Sequence, residues 1–117
     1  MPRTVVTKTA APGAYPTAGV AVTWADADPT NKNAFVLTAN ELVLARNAHA
    51  TDPKTVTINS AADTMGRSKD ITAESLAAGV VKAYGPFTNK SGWAQASTSY
   101  LHFEGETTDI KFAVITL

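Results

Sequence analysis

Apolar and polar side chains alternate along most of the chain after Gly19, and this period of two is typical of strands that bury one face. The pattern predicts eight strands, near residues 19–24, 33–38, 41–48, 54–60, 70–76, 80–84, 99–104 and 108–116. In the first three of these, the residues expected to share a face are Val20, Val22 and Trp24, then Phe35 and Leu37, then Leu42 and Leu44. In later strands they are Val56 and Ile58, then Leu101 and Phe103, then Ile110, Phe112 and Val114.

Turn residues separate the predicted strands. Ala77-Ala78-Gly79 is typical of a three-residue hairpin loop in which glycine takes a positive φ, and Gly105 suggests the same for the last hairpin. Gly85-Pro86 is expected to end the sixth strand, because proline cannot donate to a ladder. The stretch 72–78 could also form a short helix, but its β-branched start and the Gly79 that follows favour a strand.

Residues 1–19 lack this alternation and are punctuated by proline and glycine. Such a segment buries little surface, so we expect either a frayed terminus or an extended arm that becomes ordered on a partner. Its apolar anchors would be Val5, Val6 and Tyr15. The sequence therefore predicts an arm over residues 1–19 and an all-β domain over residues 20–117, a jelly-roll-like β-sandwich of about eight antiparallel strands.

The charge balance argues against nucleic acid as a partner. Ten basic and ten acidic residues cancel, whereas binding to phosphates usually needs a basic surplus. No apolar stretch approaches the roughly 20 residues that span a bilayer, and the first residues do not form a signal peptide. We therefore expect no membrane partner. The chain has no cysteine, which fits assembly in a reducing cytoplasm.

No motif in the sequence predicts catalysis, a metal site or a cofactor. His49 and His102 lie far apart in sequence without ligands at metal-binding spacing, and no serine lies in a nucleophile elbow. The acidic and amide residues of the 26–33 loop faintly resemble a calcium loop, but its central glycine and closing glutamate are missing. An ordinary Asx-rich turn is the favoured interpretation there, and the chain is not expected to be an enzyme.

Three further residues are candidates for interaction. Trp24 and Trp93 could pack in the core or anchor a protein interface, where tryptophan is enriched. Arg67 could form an ion pair with Asp70 that shapes the loop after the fourth strand. The candidate interaction residues are Val5, Val6, Tyr15, Trp24, Arg67 and Trp93.

Short motifs over residues 33–117 resemble the small cement or decoration proteins of tailed bacteriophages, which have jelly-roll folds. The matching pieces are Phe35-Val-Leu-Thr38, Asn40-Glu41, Val56-Thr57-Ile58, Gly66-Arg67, Asp70-Ile71-Thr72-Ala73, Leu76-Ala77-Ala78-Gly79, Gly85-Pro86-Phe87, Gly92-Trp93 and Lys111-Phe112-Ala113-Val114-Ile115. Ala39 departs from the pattern, because a glycine is expected in that tight turn.

The resemblance implies a structural virion protein that lies on the outer capsid surface and cements adjacent copies of the major capsid protein. It also implies a homo-oligomer, with a dimer favoured over a trimer. Two other functions remain open: a carbohydrate- or receptor-binding β-sandwich of a virion or tail, which would need Trp93 and a second aromatic exposed on one face, and a small hydrolase.

Overall fold

The computed structural model describes residues 3–12, 18–61, 70–87, 92–95 and 99–117. Within these residues the chain is all-β, and no helix, and therefore no membrane-spanning helix, is present. The strands are β1 Thr4–Val5, β2 Lys8–Ala10, β3 Ala25–Asp26, β4 Asn33–Val36, β5 Glu41–Asn47, β6 Lys54–Asn59, β7 Ile71–Leu76, β8 Val81–Phe87, β9 Tyr100–Gly105 and β10 Ile110–Thr116. The predicted all-β class is confirmed.

The strands form two mixed sheets that pack face to face. Sheet I has the order β1-β4-β9-β6-β7, and sheet II has the order β2-β10-β5-β8, with β3 also paired to β10. Strands β4 to β9 pair as nested antiparallel partners, β6 with β7, β5 with β8 and β4 with β9. This nesting is consistent with the predicted jelly roll, in which one long hairpin folds over into two sheets.

The core lies between the sheets and is built from the inward residues of each strand. Leu101 and Phe103 of β9 and Phe112 of β10 are buried in this core. The Phe103 and Phe112 rings pack edge to face, with their centroids 4.6 Å apart. These alternating positions were correctly predicted as one buried face. Chain connections repeatedly cross from one sheet to the other, so consecutive strands contribute to both walls of the core.

Strand β5 departs from the prediction in the phase of its alternation. Leu42 and Leu44 were expected to share a buried face, but the buried set is Glu41, Val43, Ala45 and Asn47. The two leucines lie on the outer face of sheet II and are only half-buried. The hydrophobic pattern gave the wrong buried face because β5 has apolar residues on both faces. The inward-facing residues at its two ends, Glu41 and Asn47, are polar and are satisfied by hydrogen bonds.

The predicted strand over residues 19–24 is wrong, since only Ala25 and Asp26 pair with β10. The reason is competition for one edge. Strand β2 pairs in parallel with residues 114–116 of β10, and β3 pairs with residues 111–112, so the edge beside residues 19–24 is occupied. Residues 18–24 do not join the ladder of sheet II, although the Thr23 N–H donates to the side-chain hydroxyl of Thr9 at 3.2 Å.

Both predicted hairpin glycines need correction. Gly79 has the expected positive φ of 79°, but it connects β7 in sheet I to β8 in sheet II, so no hairpin forms. Gly105 likewise ends a strand that crosses to the other sheet, and its φ is not positive. A Cβ there would lie 2.8 Å from the Cβ atoms of Ala27 and Ile110, so glycine is required for close packing.

Two of the local alternatives are resolved. Residues 71–76 form a strand, as favoured over a helix. Gly85-Pro86 was expected to end the sixth strand, but β8 continues to Phe87. The two residues form a bulge, because Val43 pairs with Tyr84 whereas Glu41 pairs with Phe87. A proline is tolerated at a bulge because its missing N–H is not needed there.

Candidate binding surfaces

The two outer faces of the sandwich differ in chemistry. The outer face of sheet II carries the aliphatic residues Leu42, Leu44, Val81, Ala83 and Ile115, a set we name the aliphatic face. Register places Leu44 between Ala83 and Ala113, and Leu42 beside Ile115, so these side chains form neighbouring rows. Val81 is 48% exposed. Contiguous apolar surface of this kind is typical of a site that contacts another molecule.

The outer face of sheet I is polar. Its central residues are Thr55, Thr57, His102 and Glu104, a set we name the polar face. Glu104 pairs with Lys32 at 3.1 Å between partly exposed side chains. Burial, together with the nearby Arg3 guanidinium, lowers the pKa of His102. This face is therefore suited to contact with water, and its imidazole is neutral at neutral pH.

Residues 18–24 extend the apolar surface beside sheet II. Val20 and Val22 are exposed and, together with Pro12 and Ile115, line a shallow hollow of about 120 Å³. Trp24 is half-buried and lies over the guanidinium of Arg46, with the guanidinium carbon 5.4 Å from the ring centroid. The predicted interaction residue Trp24 is thus stacked on the outer face of sheet II, outside the core.

The N-terminal segment, residues 3–12, is held by both sheets. Strand β1 pairs in parallel with β4, β2 pairs in parallel with β10, and Val6 between them is 2% exposed and belongs to the core. The predicted anchor Val6 therefore packs against the chain's own core, while Val5 is 56% exposed at the edge of the polar face. The boundary between an arm and a body at residue 20 stays a prediction.

A buried carboxylate fixes this segment. Glu41 is fully buried, and its carboxylate accepts hydrogen bonds from Lys8 Nζ at 2.7 Å, from the Thr38 hydroxyl at 2.6 Å and from the Thr38 N–H at 2.9 Å. Burial opposes ionisation, but Lys8 and the Thr38 and Asn40 donors outweigh it and lower the pKa of Glu41 to about 2. Glu41 thereby joins β2 to the turn before β5.

That turn contains Ala39, which has a positive φ of 70°. Left-handed backbone costs a non-glycine residue about 1 kcal/mol or more, and here the Glu41 carboxylate binds the N–H groups on both sides of it. The positive φ is the conformation for which a glycine was expected at this position, so the turn forms with alanine there.

An open groove of about 400 Å³ lies beside β8. It is lined by Ile71 of β7, the β8 stretch 83–87 and Trp93. Trp93 packs edge to face on Phe87, with the ring centroids 5.0 Å apart, and it contacts the core while remaining half-buried. Burial, followed by the neighbouring Glu74 carboxylate, raises the pKa of Tyr84 in this wall.

The loops contain the turn chemistry expected of Asx-rich segments. Asp28 Oδ1 accepts from the N–H groups of Thr30 and Asn31, both at 3.0 Å, as an Asx-turn does. His49 Nδ1 accepts from the N–H groups of Thr51 and Asp52, so this histidine closes a turn. In the described ranges, no group of three or more His, Cys, Asp or Glu side chains could hold a metal ion.

Four of the six predicted interaction residues can be placed, and they do not form one site. Val5 lies by the polar face, Val6 in the core, Trp24 on sheet II and Trp93 at the β8 groove. Tyr15 and Arg67 lie outside the described residues. Sequence reasoning missed Lys8 and Glu41. The signal available for Glu41 was a charge directly before the apolar run of residues 42–45 in a predicted strand.

Comparison of the chain with protein-family models, with curated proteins and with solved structures finds no match.

Proposed function

We propose that the protein is a structural virion protein that binds the outer surface of a bacteriophage capsid and cements adjacent major capsid protein subunits. The observation that carries the proposal is the aliphatic face, because these side chains are not needed to fill the chain's own core. The motif resemblance over residues 33–117 supports the capsid as the partner. A protein that binds only the assembled shell stabilises that shell by mass action.

The contact would use area more than charge. The chain is neutral overall, and the aliphatic face has few charges apart from Arg46 and Lys111, the latter paired with Asp26 at 2.7 Å. Burying such a face yields roughly 25 cal/mol per Å² of apolar surface. Many copies, each bound weakly to the repeating capsid lattice, can then stabilise one shell together.

The proposal is tested by adding purified protein to capsid shells that lack it and measuring co-sedimentation and shell unfolding temperature. We expect decoration of assembled shells, weak binding to isolated capsid subunits, and a higher unfolding temperature for decorated shells. Failure to bind shells, or binding without any change in shell stability, would contradict the cementing function.

A matched pair of variants tests the face. Leu44→Glu places a charge in the centre of the aliphatic face and should weaken shell binding at least tenfold, whereas Thr57→Glu adds the same charge to the polar face and should leave it unchanged. Denaturant unfolding of each variant checks that it folds. Equal losses in both variants would show that the aliphatic face is not the contact.

A second candidate is glycan binding, for which the groove beside β8 is the available site. Tyr84, Phe87 and Trp93 line that groove, but Tyr84 and Phe87 are buried, so Trp93 is the groove aromatic that could stack on a sugar ring. Glycan-array screening of the protein tests this candidate, with Trp93→Ala as the comparison. Binding that is lost in Trp93→Ala would support it, and an array without hits would dismiss it.

A further inference from the structure

The sandwich has two long sides, and among the residues that the structure describes only one of them is covered by further strands of the chain. On the first side, the N-terminal segment adds β1 to sheet I and β2 to sheet II and inserts Val6 between them. On the other side, β7 is the last strand of sheet I and β8 is the last strand of sheet II. Within the described residues, β8 pairs with β5 alone. We name this second side the open side.

The hydrogen-bonding phase of β8 shows which peptide groups face outward. Asn47 N–H donates to Val80 O at 3.1 Å, so the 47–80 pair is of the hydrogen-bonded type. In an antiparallel ladder the type alternates, which makes 45–82 and 43–84 hydrogen-bonded pairs too. The N–H and C=O groups of Val81 and Ala83 therefore point away from β5, toward the open side.

Apart from the Lys82–Glu74 ion pair, the exposed side chains of β7 and β8 are uncharged, and most of them are small. Strand β7 presents Thr72, Ala73 and Ser75, and β8 presents Val81 and Ala83. The two charged residues, Lys82 and Glu74, bind each other at 3.0 Å across the sheets. Native sheets usually protect an edge with unpaired charges, prolines or bulges. Here such protection begins only at the Gly85-Pro86 bulge.

We propose that two copies of this chain associate through the open side, with β8 pairing antiparallel to β8 of the second copy about a two-fold axis at Ala83. The residues that this register places opposite each other favour it. Ala83 lies opposite Ala83 of the second copy and Val81 lies opposite Gly85, so small residues meet. An axis at residue 82 would instead place two lysines opposite each other, and like charges in that position are destabilising.

The area of the open side sets the strength of the contact. Two sheets about 10 Å apart, with edge strands of six and seven residues, present roughly 450 Å² per copy, or roughly 900 Å² in total, by strand spacing. Stable specific interfaces bury about 1,200–2,000 Å², so this dimer dissociates on dilution. Self-association is a property of the isolated protein, so its test is independent of capsid binding.

The experiment uses sedimentation velocity from micromolar to near-millimolar concentration, together with single-cysteine cross-linking. Because the chain has no cysteine, Ala83→Cys reports one contact unambiguously. Facing residues of a hydrogen-bonded antiparallel pair have Cα atoms about 5.5 Å apart, within the range that a disulfide spans. The matched control is Val36→Cys, which is 41% exposed on sheet I, away from the open side.

We expect a concentration-dependent dimer, with Ala83→Cys forming a disulfide-linked dimer at least tenfold faster than Val36→Cys under a mild oxidant. Ala83→Lys should raise the dissociation constant at least tenfold, and Val36→Lys should leave it unchanged. A protein that is monomeric at all concentrations overturns the proposal. So does a dimer in which Ala83→Cys cross-links no faster than Val36→Cys or in which Ala83→Lys has no effect.

Discussion

The two sides of the sandwich differ in how the edges of the two sheets are connected to each other. The side covered by the N-terminal segment has a core residue, Val6, and a buried carboxylate, Glu41, bound to Lys8. The open side has a salt bridge, Lys82 with Glu74, whose side chains are 39% and 36% exposed. A buried connection contributes to the stability of the chain, whereas a surface pair contributes little and leaves the edge available. The difference predicts which side tolerates substitution.

Removing the buried carboxylate should have the largest effect. Glu41→Ala leaves Lys8 without its partner and the N–H groups of Thr38 and Asn40 without an acceptor, so we expect a loss of about 3 kcal/mol in the free energy of unfolding. Glu74→Ala is the matched change on the open side and should cost less than about 1 kcal/mol. Urea denaturation measures both values, and equal losses would remove the distinction between the sides.

The same carboxylate should make stability depend on acid. The pKa of Glu41 is about 2 in the folded chain and near its ordinary 4.5 when unfolded, so its contribution is complete above pH 4.5 and is lost as the pH falls to 2. The difference corresponds to about 3 kcal/mol at most. Urea denaturation across this pH range should show a decrease that is much smaller in Glu41→Gln, and an unchanged slope in that variant would contradict the assignment.

Neighbouring valines offer a smaller and cleaner comparison within the N-terminal segment. Val6→Ala removes two buried methyl groups and should lower the free energy of unfolding by about 2 kcal/mol. Val5→Ala makes the same chemical change at a side chain that is 56% exposed, and should cost less than about 0.5 kcal/mol. Thermal unfolding of the pair tests whether residues 3–12 are part of the cooperative fold. Equal, small effects would show that this segment detaches before unfolding.

The smallest effect is expected on the open side. Lys82→Met keeps the aliphatic stem and removes the charge that binds Glu74, so the free energy of unfolding should change by less than about 1 kcal/mol. The informative measurement is self-association, because the substitution also removes a charge from the edge strand. A large loss in the free energy of unfolding would show that the Lys82–Glu74 pair stabilises the fold as much as the Lys8–Glu41 pair does.

Much of the fold follows from local pattern, because strands that bury one face must alternate. Val56 and Ile58 in β6 and Leu101 and Phe103 in β9 are buried as predicted. The prediction failed where the pairing of a strand depends on residues that are distant in the sequence. Residues 20–24 alternate like a strand, yet β2 occupies the edge they needed, and nothing near Val20 encodes that competition.

The candidate binding surfaces were harder to predict for a related reason. Leu42 and Leu44 looked like core residues because a hydrophobicity pattern cannot distinguish a leucine that fills the core from one that lies on an outer face of the sandwich. Glu41 was missed because its meaning depends on Lys8, a residue that comes next to it only through β2 and its pairing with β10. Residues joined across the fold leave no local trace in the sequence.

The parallel pairing of β2 with β10 also orders events in time. Lys8 lies beside Val114, more than a hundred residues later in the chain, so β2 has no ladder to join until β10 has been synthesised. The β6–β7 hairpin, by contrast, closes over a short span, and each nested pair outside it then closes only the short connections that flank the pair inside it. Strand β2 is therefore synthesised well before its ladder partner, and it can take its place in sheet II only after β10 is available.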